Sequence, residues 1–166
     1  KNHNMKITAV ETIGLEEFPN ILWVHIHTDE GIVGLGETFY AVAPVAEHIH
    51  QTCAPYLLGK NPLEIDRHSR QFLNTYLGFN SVGVEMRAAS AVDIALWDLF
   101  GQFTGQPIYQ LLGGASRDMV RVYNTCAGYQ YVRAKPVQGT ENFGLPAKAD
   151  KKNRPYEDLL AFKTDA

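Results

Sequence analysis

The chain has 166 residues, room for one sizeable domain or one and a half small ones, and its 45% hydrophobic and 20% charged content is that of an ordinary soluble globular protein. Its net charge of −3 gives no reason to expect nucleic acid or an anionic membrane as partner, and no apolar run approaches the ~20 residues of a membrane span. Cys53 and Cys126 form no CxxC pair and suggest no zinc ribbon. Free thiols in a reducing cytoplasm are the expectation, and the polar opening Lys1 to Thr8 carries no signal-peptide pattern.

Taken in chain order, Ile7 to Ile13 reads as a first strand and Gly14 to Asn20 as a loop. Ile21 to Thr28 alternates: Leu22, Val24 and Ile26 share one face, and Ile21, Trp23, His25 and His27 the other, the period of a strand. Asp29-Glu30-Gly31 is a turn, and Ile32 to Glu37 is the returning strand, whose Gly34 and Gly36 allow another backbone to approach closely. The opening is thus a three-stranded antiparallel meander.

Helices follow. Pro44 suits a first helical position, and the segment to about Leu58 has helical composition with a kink or break at Pro55, then a stop at Gly59. Asn61-Pro62-Leu63-Glu64 reads as a helix start, with Asn61 as N-cap, for a helix running to about Leu77 and stopping at Gly78. A third helix spans about Val84 to Phe103. Its Ala88, Ala91, Val92, Ala95 and Leu99 repeat at helical spacing, and their small size implies close packing. The chain breaks at Gly105, restarts in a short Pro107-led helix, stops at Gly113-Gly114 and enters a strand-like stretch at Val120-Arg121-Val122-Tyr123. Gln130 to Pro155 has no period and reads as a long loop; Tyr156 to Phe162 has the composition of a helix start.

Three blocks together resemble one family: GIVGLGE at Gly31 to Glu37, AASAVDIALWDLFGQFTGQPIYQLLGG from Ala88 to Gly114, and RVYNTCAG at Arg121 to Gly128. They resemble the enolase superfamily, in its mandelate racemase/muconate lactonizing branch. The resemblance implies an α+β fold, a meander followed by a helical bundle, as the capping domain at residues 1–118. Residues 119–166 would then hold the first strand (Val120 to Thr125), a long loop and the start of the first helix of an incomplete (β/α) barrel. A complete barrel takes about 200 residues or more.

Family chemistry is abstraction of a proton α to a carboxylate, with Mg²⁺ holding the enediolate and a Lys or His as base. No position here matches the family's metal ligands or bases, so neither a catalytic residue nor a metal ligand is assigned. The capping loops of the family exclude water and read the distal end of the substrate. In this chain they correspond to Gly14 to Asn20 and Thr38 to Ala43, which nominates Phe18, Phe39 and Tyr40 as substrate-binding. Thr125 and Cys126, at the C-terminal end of the first barrel strand, join them. The implied activity is that of an acid-sugar dehydratase acting on a small carboxylate or sugar acid, in a cytoplasmic homo-oligomer. Racemase, epimerase or cycloisomerase activity stays open; so does, from another class, a catalytically inactive truncated α+β module.

Other chemistry-bearing residues have plainer readings. Asp93 and Asp98 are five apart on a helix, do not share a face, and are expected in capping or salt-bridge contacts. Glu37 stands where the family places a structural Glu, so the resemblance implies a structural role. His25 and His27 lie on one strand face, where a metal pair would need a third ligand that the sequence does not disclose, so a half-exposed sheet face accounts for them. His48 and His50 diverge on a helix, Cys126 reads as an inert packing thiol, and Lys148, Lys151, Lys152 and Arg154 form a solvated basic cluster.

Overall fold

The structure is a computed structural model that describes residues 4–74 and 83–123. The chain divides into two compact units, Lys1–Leu15 with Ile21–Ser116, and Glu16–Asn20 with Arg117–Ala166. Three strands, β1 (Ile7–Leu15), β2 (Phe18–Thr28) and β3 (Val33–Phe39), form one sheet in the order β1-β2-β3. β2 and β3 run antiparallel with Val24 opposite Gly36 and His25 opposite Leu35. The meander is therefore as expected, but the anticipated loop at Gly14 to Asn20 is not there. β1 continues to Leu15 and β2 resumes at Phe18, leaving a two-residue turn at Glu16-Glu17. Hydrogen bonding between the neighbouring strands extends them into the expected loop from both sides. The β2–β3 turn is locked by Thr28, whose Oγ1 donates to the Ile32 carbonyl at 2.8 Å and accepts from the Ile32 N–H at 3.1 Å.

A continuous helical run follows: α1 (Val42–His48), a π-helical turn (Ile49–Cys53) and α2 (Ala54–Leu57). The kink expected at Pro55 takes the form of that wide turn, which accommodates a residue unable to donate to the preceding carbonyls. Gly59, at φ 77°, then reverses the chain. α3 (Ile65–Asn74) begins later than anticipated. Asn61 caps a turn instead, its Oδ1 accepting from the Leu63 N–H at 3.0 Å, while the Glu64 carbonyl accepts the His68 N–H at 3.1 Å. The stop expected at Gly78 lies outside the described residues. α4 (Val84–Thr104) matches its sequence signature closely and ends on Gly105 in the left-handed region. Pro107 caps α5 (Ile108–Leu111), and Gly113 and Gly114 both take positive φ. Val120 to Tyr123 carry neither helix nor strand, with Val122 84% and Tyr123 86% exposed; the remainder of the expected barrel strand lies outside the described residues.

The core lies between the sheet and the helices. Leu22, Val24 and Ile26 of β2 meet Val45, Ile49 and Cys53, and Ala88, Ala91, Val92, Ala95, Leu96 and Leu99 of α4, all buried. Each large aliphatic side chain so buried contributes about 1.5–3 kcal/mol. Burial also pushes the Cys53 thiol up to about 12, so it is an inert packing group. The buried His68 is satisfied on both nitrogens. Its Nε2 lies 2.8 Å from the Asn61 carbonyl, which can only accept, so Nε2 carries the proton and Nδ1 accepts from the Tyr56 hydroxyl at 3.3 Å. Among the described residues no helix is long and apolar enough to cross a membrane.

β3 is seated on α4 by its glycines. A Cβ at Gly36 would collide with the Ala91 carbonyl oxygen and lie 3.1 Å from the Ala95 Cβ; one at Gly34 would collide with the Ala95 carbonyl oxygen. The helix also reaches around the outer side of β3. Asp98 Oδ2 accepts the Leu35 N–H at 2.8 Å, Gln102 Nε2 donates to the Val33 carbonyl at 2.7 Å, and the Arg87 guanidinium donates to the Phe39 carbonyl. Asp98, expected in a cap or salt bridge, thus holds a strand backbone; its second partner is Gln102 at 2.8 Å. Asp93 points the other way, toward Ser69 of α3, and burial raises its carboxyl above the ordinary 3.8 despite that hydrogen bond.

Two outcomes follow from this packing. Gly36→Ala should lower stability by about 3 kcal/mol or more in urea unfolding, because backbone and not a flexible side chain blocks the added methyl. Gly31→Ala, at φ 77° but with open space around it, should cost only about 1 kcal/mol. For Asp93, the folded state binds the proton more tightly than the unfolded chain, so its contribution to stability falls as pH rises from 3.8 through the raised value. Asp93→Asn should therefore be more stable than the parent at neutral pH, with the difference closing below pH 3.8, as measured by denaturation across pH.

Candidate functional site

The corner between β3 and α1 is where the fold brings sequence-nominated residues together. β3 ends at Phe39, α1 starts at Val42, and the expected loop Thr38 to Ala43 is compressed to Tyr40 and Ala41. Both adopt left-handed backbone, at φ 74° and 55°, among the described residues the two positions other than glycine that do so. For residues with a Cβ this costs about 1–2 kcal/mol each. The strain persists because the ends are fixed: the Ala41 carbonyl accepts the Val45 N–H at 3.0 Å, and Phe39 is tied to Arg87. The result is an outward-facing Tyr40, 41% exposed, with its ring 6.3 Å from that of Phe39 and the Arg87 guanidinium 5.7 Å from the Tyr40 ring centroid. A phenol held beside a cation and an aromatic suits hydrogen bonding to a hydroxyl or carboxylate.

Arg87 was not among the residues singled out from sequence. Its signal was faint: a cation three residues inside the start of a helix otherwise rich in Ala and Val. Phe18 stands apart from the corner in assignment, half-buried as the first residue of β2 and part of the smaller compact unit, so it is a strand residue and not a loop tip. Thr125 and Cys126 lie outside the described residues, as does the basic cluster Lys148 to Arg154.

On the sheet face turned away from the helices, β1 and β2 gather a second group. Glu11 Oε2 lies 3.2 Å from His27 Nε2 and 3.4 Å from His25 Nδ1. The third donor that the sequence did not disclose is thus Glu11, brought from the neighbouring strand. Hydrogen bonding from His27, reinforced by His25, holds the Glu11 carboxyl below its ordinary 4.5. A groove of about 640 Å³ runs along β1 beside it, lined in part by Thr12, His27 and His50, with His50 Nε2 2.8 Å from Thr12 Oγ1. His50 lines the same groove as Glu11 and His27 but is not among the side chains at ligand distance of one another, and His48 is in neither set. Among the described residues Glu11, His25 and His27 form the one set of His, Cys, Asp or Glu side chains able to hold a metal ion together. One carboxylate and two imidazoles do not suit Mg²⁺, which takes oxygen donors in octahedral geometry, so no step involving Mg²⁺ is placed on the described residues.

A three-stranded antiparallel meander followed by helices is the architecture of an α+β capping domain. The N-terminal domain of the mandelate racemase/muconate lactonizing enzymes matches residues 3–113, and the chain belongs to that family. A D-xylonate dehydratase from Haloferax volcanii is 41% identical over 120 residues, 71% of this chain and 28% of that protein. A solved enolase of the mandelate racemase subgroup from Agrobacterium tumefaciens is 53% identical, with a TM-score of 0.69 over 74% of this chain and 34% of its own. A solved enolase from Pantoea ananatis, with bound D-gluconate and Mg, is 38% identical, with a TM-score of 0.62 over 69% of this chain and 28% of its own. The chain spans about 30% of the length of the curated relatives it matches.

The strain at the corner is measurable. Ala41→Gly should raise stability by about 0.5–1 kcal/mol, because glycine takes φ 55° without a Cβ penalty, whereas the β-branched Ala41→Val should lower it by more than about 1 kcal/mol. Shifts of the urea midpoint in the same direction for both variants would rule out backbone strain at this position.

Proposed function

We propose that this chain is the capping, specificity-setting part of an acid-sugar dehydratase, an enzyme that removes water from a polyhydroxy carboxylate after taking the proton next to its carboxyl group. The observation that carries the reading is the Tyr40 corner, an exposed phenol on strained backbone held by Arg87, in a domain whose relatives include a sugar-acid dehydratase. Strain kept at an exposed turn is characteristic of ligand-contacting positions. Tyr40 reads a distal hydroxyl or carboxylate of the substrate, Phe39 shields it from water, and Arg87 fixes the approach. Phe18, Thr125 and Cys126 complete the proposed substrate-binding set on the strength of family position. Mg²⁺ dependence, assembly into homo-oligomers and a cytoplasmic location belong to the same reading; the Mg²⁺ ligands and the bases are assigned to residues other than those described.

The test uses the full-length protein that carries this chain, offered a panel of aldonic and aldaric acids with and without Mg²⁺. Formation of a 2-oxo-3-deoxy acid that depends on Mg²⁺ is the expected result. Tyr40→Phe should then lose about tenfold in kcat/KM, chiefly through KM, as one substrate hydrogen bond worth about 1–1.5 kcal/mol is removed. Turnover of none of the acids would defeat the dehydratase reading, and isomerisation without loss of water would replace it with racemase or epimerase activity.

A further inference from the structure

We propose that Glu11, His25 and His27 form a binding site for a borderline divalent cation of the zinc type, on the face of the sheet turned away from the helices. The site is independent of the dehydratase reading and of that reading's Mg²⁺.

Geometry supports it first. A tetrahedral ion with bonds of about 2.0–2.1 Å places its ligand atoms about 3.3–3.4 Å apart. The two edges shared by Glu11 Oε2 measure 3.2 Å to His27 Nε2 and 3.4 Å to His25 Nδ1. All three ligand atoms lie within 4.8 Å of one another, and the two rings, 6.0 Å apart at 73°, close the third edge by rotation about their own side-chain bonds. The cation would therefore enter a set with two of its three edges already at coordination spacing, replacing the hydrogen bonds that hold it.

The scaffold supports it next. His25 and His27 are two apart on the central strand, so the pleat aims both side chains at one face, while β1 supplies Glu11 from alongside. Both histidines are about one-third exposed, enough for an ion to enter, and the fourth position opens to solvent for water or a ligand donor. Two imidazoles and one carboxylate favour Zn²⁺, Co²⁺, Ni²⁺ or Cu²⁺ over Mg²⁺ and Ca²⁺. The hydrogen bonds from the two histidines hold the Glu11 carboxyl low, so it is ionised at neutral pH and enters the site without losing a proton.

Titration of the 166-residue chain with Zn²⁺ by calorimetry, and with Co²⁺ by visible absorption, tests the site. One equivalent should bind, with a Co²⁺ spectrum of nitrogen and oxygen coordination, and a large excess of Mg²⁺ should not compete. His27→Ala and His25→Ala should each weaken binding by about 100-fold or more, and Glu11→Gln, which keeps shape and loses charge, by about tenfold or more. His48→Ala should bind as the parent does. Because all three residues lie on a sheet face outside the core, circular dichroism should find every variant folded, and Glu11→Gln alone suffices if a histidine variant is not. Absence of saturable binding, or equal affinity in the parent and the His25→Ala/His27→Ala double variant, would overturn the proposal.

Discussion

The rest of this domain depends on a backbone-to-backbone contact between β3 and α4. Gly34 and Gly36 carry no side chain, so the strand lies directly against the carbonyls of Ala95 and Ala91, and no other residue type would permit that separation. Closeness at this seam fixes the height of the whole sheet above the helices. Leu22, Val24 and Ile26 on the neighbouring strand then reach the helical layer with ordinary aliphatic lengths. It also fixes where β3 ends relative to Arg87, so that the strained turn at Tyr40 and Ala41 is a consequence of docking and not an isolated loop feature. Site and core are thus positioned by the same two glycines.

Much of this was legible in the sequence, and for stated physical reasons. Period-two alternation from Ile21 to Thr28 and small residues at helical spacing from Ala88 to Leu99 both report burial on one face, and burial is what the fold conserves for energetic reasons. Gly105 and Pro107 were readable because each has a backbone preference that only one position of a helix terminus accepts. The failures have equally physical causes. Glu16 and Glu17 have weak strand preference, which made a loop of what pairing across the sheet makes a tight turn. Asn61 satisfies a local capping pattern, but its side chain finds a donor two residues on, and the helix waits until Ile65.

Side-chain partnerships separated in sequence were the least legible. Nothing local connects Arg87 to Phe39, Asp98 to Leu35 or Glu11 to the two histidines, since each depends on register and on which face a helix presents. The candidate substrate residues Phe39 and Tyr40 were reachable only through family position. Their sequence does not announce the left-handed backbone that distinguishes them, because neither residue type favours it. Conversely, the two histidines were visible as a pair but lacked meaning until β1 was placed beside them.

The side chains of α4 that grip the outer side of β3 have a consequence for how this domain can meet other proteins. An edge strand with free N–H and C=O groups invites any extended chain to add itself to the sheet. Here Asp98, Gln102 and Arg87 occupy outward groups near both ends of β3, and on the opposite flank Ile7 of β1 is bonded to Gly59 and Lys60 at 2.8 and 2.9 Å. Strand addition at these positions would have to displace bonds already made. The broad face that carries Trp23 and Leu35 offers side-chain shape in place of a hydrogen-bonded ladder.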